Sequence, residues 1–365
     1  MDKYVYLDNA ATSLLKPESV YDAVNNAMRE CGNPGRSGHK HATSSGKIIG
    51  EARMLCARLF NAPTPESIIF TYNATVAINM AIKGFIKPGD HVITSNMEHN
   101  SVSRPLHQLG QPTTKIEMDL SELKKAVRPD TKLVVCSHIS NVTGAVNDIE
   151  SIGKFCKENE ITFLVDAAQS AGSIPINVEY IDMLAFPGHK GLLGPQGTGG
   201  LYLRPGLKLK TLVEGGTGSA SESLQQPESY PDKLESGTPN TPGLAGLAAG
   251  VRFVIENFDD IIKKENELMN RLVDGIAEIK GIKLVGGYHG SSVASFVFNN
   301  IAPAEAAIML DAGFGIAVRS GLHCAADAHE TLGTLKSGGT LRISPNFFNT
   351  VEDIDYCLMA LGNIS

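Results

Sequence analysis

Several short runs along this chain are apolar at consecutive positions rather than at alternate ones. Leu133-Val134-Val135-Cys136 and Ile161-Thr162-Phe163-Leu164-Val165 are the clearest, and Ser67-Ile68-Ile69-Phe70-Thr71, His91-Val92-Ile93-Thr94 and Gly199-Gly200-Leu201-Tyr202-Leu203 share their β-rich character. Strands of that kind are buried on both faces. Helical segments separate them, 76–82 among them, and another over 44–60 precedes them. The pattern predicts an α/β fold with a parallel sheet covered by helices. Ahead of it, Tyr4-Val5-Tyr6-Leu7 reads as a short strand leading toward a helix over 18–29. Residues 32–39 are too rich in turn formers for regular structure.

Past residue 250 the pattern changes. Residues 244–279 read as helices, with 258–272 amphipathic. Strand-like runs at 283–285, 294–298 and 315–318 then mix with helices over 302–312 and 351–361. We expect a large domain over 16–250 and a small α+β domain made of 1–15 and 251–365. The stretch 215–243, rich in Gly, Ser, Pro and Glu, reads as a long loop, and such loops usually carry function or meet a partner chain.

Composition narrows the classes. The chain has 365 residues, long for one core, with 42% hydrophobic and 19% charged residues. A formal charge of −7 gives no basic footprint for nucleic acid. No apolar run is long enough to span a bilayer, and Met1-Asp2-Lys3-Tyr4 lacks a signal-peptide pattern. The six cysteines are scattered without a C-x-x-C pair, which indicates neither a zinc site nor a disulfide framework and suits a reducing cytoplasm.

Candidate chemistry gathers at the predicted strand ends. Lys190 lies in Leu184-Ala185-Phe186-Pro187-Gly188-His189-Lys190-Gly191, an apolar run breaking into glycines. An amine held against apolar backbone loses hydration, favours its neutral form and can condense with an aldehyde such as pyridoxal phosphate. The plainer reading is a solvated lysine. Asp166 directly follows a buried strand, where a carboxylate needs a cation or donors, or else caps a helix. Thr75 enters a helix N-terminus, either as a cap or in a phosphate site. The glycines after Lys190 do not form a dinucleotide fingerprint. Cys324, in Arg319-Ser320-Gly321-Leu322-His323-Cys324, has basic neighbours that favour thiolate, although a lone cysteine is more often a small core residue.

Taken in order, Tyr6-Leu7-Asp8-Asn9-Ala10-Ala11-Thr12, Met97-Glu98-His99-Asn100-Ser101, Ser140-Asn141-Val142-Thr143-Gly144, Val165-Asp166-Ala167-Ala168-Gln169, Gly188-His189-Lys190, Gly237-Thr238-Pro239-Asn240 and 319–324 span the chain. Together they resemble the class V aminotransferase group of fold-type I pyridoxal phosphate enzymes, and within it the cysteine desulfurase and selenocysteine lyase family. The resemblance implies a seven-stranded, mostly parallel sheet in the large domain and a homodimer with shared active sites. Lys190 would hold the cofactor and move the substrate's Cα proton. Asp166 would pair with the ring nitrogen, His99 would stack on the ring, and Gln169 would bond its phenolate oxygen. Ala74, Thr75 and His189 would hold the phosphate, joined by Gly237 and Thr238 of the other subunit. Asn9, Asn141, Arg319 and Arg342 would bind the substrate. Cys324 would take sulfur from L-cysteine as a persulfide, releasing L-alanine, and pass it to an acceptor protein, as in iron–sulfur cluster assembly. His323 and Arg319 are the neighbours placed to tune its thiol.

The chain departs from the family where Ser or Thr commonly precedes Gly188-His189-Lys190: here it carries Pro187, without hydroxyl or N–H. The short segment between Cys324 and Arg342 resembles the Suf-type enzymes with a restrained cysteine loop. The same residues leave room for a selenocysteine lyase, for another class V enzyme, or for a cofactor-free scaffold.

Overall fold

A computed structural model describes residues 4–34 and 38–365. Residues 1–3 and 35–37, which include the start of the chain and the middle of the turn-rich 32–39 stretch, lie outside the described residues.

The chain opens with β1 (Val5–Tyr6), α1 (Glu18–Glu30) and α2 (Lys40–Leu59). It then winds through β2 (Ile68–Thr71), α3 (Ala74–Phe85), β3 (His91–Ser95), α4 (Asn100–Leu109), β4 (Thr113–Ile116), α5 (Leu120–Ala126) and β5 (Thr131–Ser137). Next come α6 (Ile149–Glu158), β6 (Thr162–Asp166), β7 (Met183–Pro187) and β8 (Gly199–Leu203). Strands β2 to β8 form one seven-stranded sheet in the order β2-β8-β7-β6-β5-β3-β4. β8 runs antiparallel to both neighbours, and the remaining pairs are parallel. The expected α/β architecture is thus present.

The consecutive apolar runs have a simple origin. Val134 and Cys136 of β5 face one core with Phe163 and Val165 of β6, under α2, α6 and α7 (Thr241–Glu256). Leu133, Val135 and Leu164 face the opposite core under α3 and α4. Each face is apolar, so alternation disappears. The edge strand β4 reads Thr-Thr-Lys-Ile and alternates between exposed and half-buried. It gave no sequence signal for that reason.

Beyond α7 the chain forms α8 (Phe258–Ala277), β9 (Ile282–Leu284), β10 (Ala294–Phe298), α9 (Pro303–Phe314), β11 (Ile316–Ala317) and β12 (Arg319–Gly321). It ends with α10 (Ala326–Thr331), β13 (Thr340–Ile343) and α11 (Val351–Ile364). A four-stranded sheet, β12-β13-β10-β9, packs with α8, α9 and α11 around a separate apolar core. The N-terminal β1 pairs with β11, so the start of the chain joins this C-terminal unit. The segment 204–240 contains neither helix nor strand. Arg53 of α2 ties it down with a two-pronged ion pair to Glu235, at 2.7 and 2.8 Å.

Candidate active site

The parallel strands end on one edge of the sheet, where open α/β sheets hold ligands. A cavity of about 510 Å3 opens there. Its walls come from the start of α3 (Asn73, Ala74, Thr75), the start of α4 (His99, Ser101) and the turns after β5, β6 and β7. The sequence-predicted residues Lys190, Asp166, Gln169, His99, Ala74, Thr75, His189 and Asn141 all line it.

Lys190 leaves β7 on a tight turn. A Cβ on Gly188 would lie 2.1 Å from Thr198 Oγ1, so only glycine fits there. Thr12 and Ser13 donate through their hydroxyls to the His189 carbonyl, at 3.2 and 3.1 Å, pinning the turn from the N-terminal segment. Burial, followed by the charge of Arg342, pushes the Lys190 amine down to about 8.

Asp166 ends β6 and is 3% exposed. It accepts the Ala168 amide at 2.9 Å, and burial pushes its carboxyl above the ordinary value. Gln169 donates to the Ala10 carbonyl at 3.1 Å. At α3, the Asn73 side chain accepts from Val76 N–H at 2.9 Å, which leaves the amides of Ala74 and Thr75 without helical acceptors.

His99 caps α4. Its Nδ1 accepts the Ser101 amide at 3.0 Å, so the neutral ring carries its proton on Nε2. Burial, then Lys190 and Arg319, lower its pKa to about 4. Beside it, Glu98 is fully buried and accepts from Ser95 Oγ and from the amide and hydroxyl of Ser137, at 2.5, 3.0 and 2.7 Å. It joins the ends of β3 and β5. Sequence reasoning gave Glu98 no role, although a carboxyl just past a buried strand is the same signal that singled out Asp166.

The small sheet delivers the remaining residues. Arg342 on β13 is 2% exposed; it donates to the Asn141 carbonyl at 3.1 Å and pairs with Asp8 at 2.9 Å. Asn141 Nδ2 donates to the His323 carbonyl at 2.7 Å, and the Asn100 amide to the Cys324 carbonyl at 2.7 Å. Those bonds seat the Cys324 turn against the start of α4. Of the six cysteines only Cys324 is exposed, and Arg319 Nη2 stands 4.0 Å from its sulfur.

His323 does not tune that sulfur. Its ring turns into the small unit, onto Thr340 Oγ1 at 2.9 Å and beside His329. Burial, reinforced by Arg342, holds its pKa near 2, so it carries no charge to lend. Neighbours in sequence are not neighbours in space here. Asn9 lines an adjoining cavity of about 490 Å3 that shares Lys190 and Gln169 with the first. Gly237 and Thr238 stand apart, on a third cavity of about 780 Å3 with Tyr72 and Leu212. Among the described residues no His, Cys, Asp and Glu cluster could hold a metal, and no helix is long and apolar enough to cross a membrane.

The class-V aminotransferase family model matches residues 5–357. A probable cysteine desulfurase of Methanothermobacter thermautotrophicus is 35% identical over 96% of this chain and 92% of its own length. The cysteine desulfurase IscS of Pseudoalteromonas translucida is 32% identical over 98% and 92%. Among solved structures, the apo cysteine desulfurase of Thermococcus onnurineus NA1 superposes with a TM-score of 0.91 at 31% identity, covering 99% of this chain and 94% of that one. The Escherichia coli cysteine desulfurase CsdA gives 0.88 at 30% identity over the same shares.

Proposed function

The chain belongs to the class-V aminotransferase family, whose members are pyridoxal phosphate enzymes, and from that membership we propose that it is a cysteine desulfurase. The cavity fits the cofactor by its chemistry. A buried carboxyl, Asp166, has no ion-pair partner among the described residues, and a protonated ring nitrogen would supply one. Two amides without helical acceptors, Ala74 and Thr75, suit a phosphate, with the Thr75 hydroxyl and His189 beside them. Lys190 has an amine depressed toward neutrality, suited to an aldehyde. When bound, pyridoxal phosphate supplies an electron sink that makes the substrate's Cα proton removable and its sulfur transferable.

The protein's own residues divide the remaining work. Arg342, with Asn141, binds the substrate carboxylate, and Lys190 Nζ takes the Cα proton. His99 would lie against the ring with Nε2–H available, and Gln169 would hold the phenolate oxygen. The Cys324 thiolate attacks the substrate sulfur: an S–S bond forms, the Cβ–S bond breaks, and Cβ gains a proton to give L-alanine. Arg319 accompanies the anionic sulfur. Asn9 supports the substrate end. Gly237 and Thr238, away from their own chain's cavity, serve the phosphate site of a partner subunit in a homodimer. An acceptor protein then takes the sulfur. In this reading a large domain over 16–250 carries Lys190, and a small one made of 1–15 and 251–365 carries Cys324.

The exposure of Cys324, on a turn bonded to the Asn141 side chain of the cavity wall and to the start of α4, is the observation that carries the reading. The test is to incubate the cofactor-loaded protein with L-cysteine and look by mass for a persulfide on the Cys324 peptide. Cys324→Ser should abolish sulfide release in the presence of reductant. Persistent release, or turnover of selenocysteine alone, overturns the proposal.

A further inference from the structure

The turn that carries Cys324 is strained. His323 and Cys324 are consecutive non-glycine residues at φ +48° and +57°, in the left-handed region. Side chains disfavour that region, and a pair of such residues persists only where the surroundings hold it. Two holders act on the turn itself, the Asn141 and Asn100 bonds to its carbonyls. The third acts just beyond it.

Asp327, in the first turn of α10, reaches across to the seven-stranded unit. One oxygen, Oδ2, accepts from Ser103 Oγ of α4 and from Lys115 Nζ of β4, both at 2.8 Å. Four residues later, Thr331 Oγ1 contacts the Asn96 carbonyl at 3.4 Å. Burial alone would raise the Asp327 carboxyl, but the Lys115 and Ser103 bonds outweigh it and leave it below the ordinary value, as an ionised latch requires. The helix spans only six residues, too short to be stable alone. Its position therefore depends on these side-chain ties, on the buried His329 packed against His323, and on the small apolar cluster of Val142, Ala325 and Ala328.

We propose that Asp327 is a positioning residue: through Ser103 and Lys115 it latches α10 to α4 and β4, and so keeps the strained Cys324 turn, and the sulfur on it, against the start of α4 and Asn141. The role assigned to the sulfur rests on the desulfurase reading; the latch itself does not. Asp327 touches neither substrate nor cofactor. Its loss should move the sulfur without emptying the cavity.

The test compares wild type, Asp327→Ala and Lys115→Met as cofactor-loaded proteins. Lys115→Met removes the tie from the far side, on a half-exposed residue, and serves if Asp327→Ala folds poorly. Three results are expected. Iodoacetamide alkylates Cys324 at least fivefold faster in the variants, while the partly exposed Cys31 keeps its wild-type rate. Amide exchange accelerates over 322–331. kcat for L-cysteine falls about tenfold with KM within twofold. Equal acceleration at Cys31 means general loosening and overturns the latch, as do wild-type alkylation and exchange rates in both variants. Absence of a persulfide on wild-type Cys324 would sink the desulfurase reading instead, while alkylation and exchange would still decide the latch.

Discussion

His99 offers the cavity one nitrogen because the other is taken by the Ser101 amide, and burial keeps the ring neutral down to about pH 4. A His99 titration should therefore be missing from the pH–rate profile between 5 and 8, where an ordinary histidine would show one. Steady-state rates across that range, wild type against His99→Gln, check this: the two profiles should differ in height but not in shape. Pro187 poses the opposite problem. It ends β7 on the cavity wall and gives an anion neither hydroxyl nor N–H. Restoring the hydroxyl with Pro187→Ser should tighten pyridoxal phosphate binding. A hydrogen bond to a charged group contributes about 1.5–3 kcal/mol, or roughly ten- to a hundred-fold in affinity. Equilibrium dialysis of the stripped protein against the cofactor reads the change. An unchanged affinity would mean that the amides of α3 already saturate the phosphate.

At the scale of elements, the start of α3 joins stability to the site. Asn73 is both the cap of the helix and a wall of the cavity. Asn73→Ala should cost about 1 kcal/mol of stability. It should also weaken cofactor binding, since fraying of the first turn disorients the amides of Ala74 and Thr75. Denaturant unfolding and cofactor titration of the same preparation measure both effects. Elements of this kind were legible in the sequence. Leu133–Cys136 and 161–165 announced a two-faced sheet by their unbroken apolar character, and Lys190, Asp166, His99 and Thr75 stood at its strand ends. β4 and α10 were not legible, because one is a polar edge and the other a six-residue helix held by long-range ties. The same limit hid Asp327 and misplaced His323: contacts 224 residues apart, such as Ser103 to Asp327, leave no local pattern.

Over the whole molecule, the buried titratable groups set how stability responds to pH. His91, His99, His138, His189, His323 and His329 all have pKa values lowered, chiefly by burial. Below about pH 6.5 the unfolded chain binds protons that these rings refuse when folded, so they make stability rise with pH through that range and fall as pH drops. Glu98 and Glu265, pushed up to about 7 by burial, and Asp166, also raised, act in reverse. They stay protonated when folded while the unfolded chain has lost the proton, so their contribution is full at low pH and declines toward neutrality. Six groups against three give a net rise in stability between about pH 4.5 and 6.5. Glu265 provides the clean test. It lies on α8, accepts from Ser292 Oγ and the Phe347 amide, and lines the cavity behind Lys190. Glu265→Gln keeps the shape and removes the ionisation, so the variant should match wild type near pH 4 and exceed it at pH 8. A shift from 4.5 to about 7 limits that excess to about 3 kcal/mol. Urea unfolding midpoints at the two pH values measure it, and an equal gap at both would show that Glu265 does not ionise near neutrality.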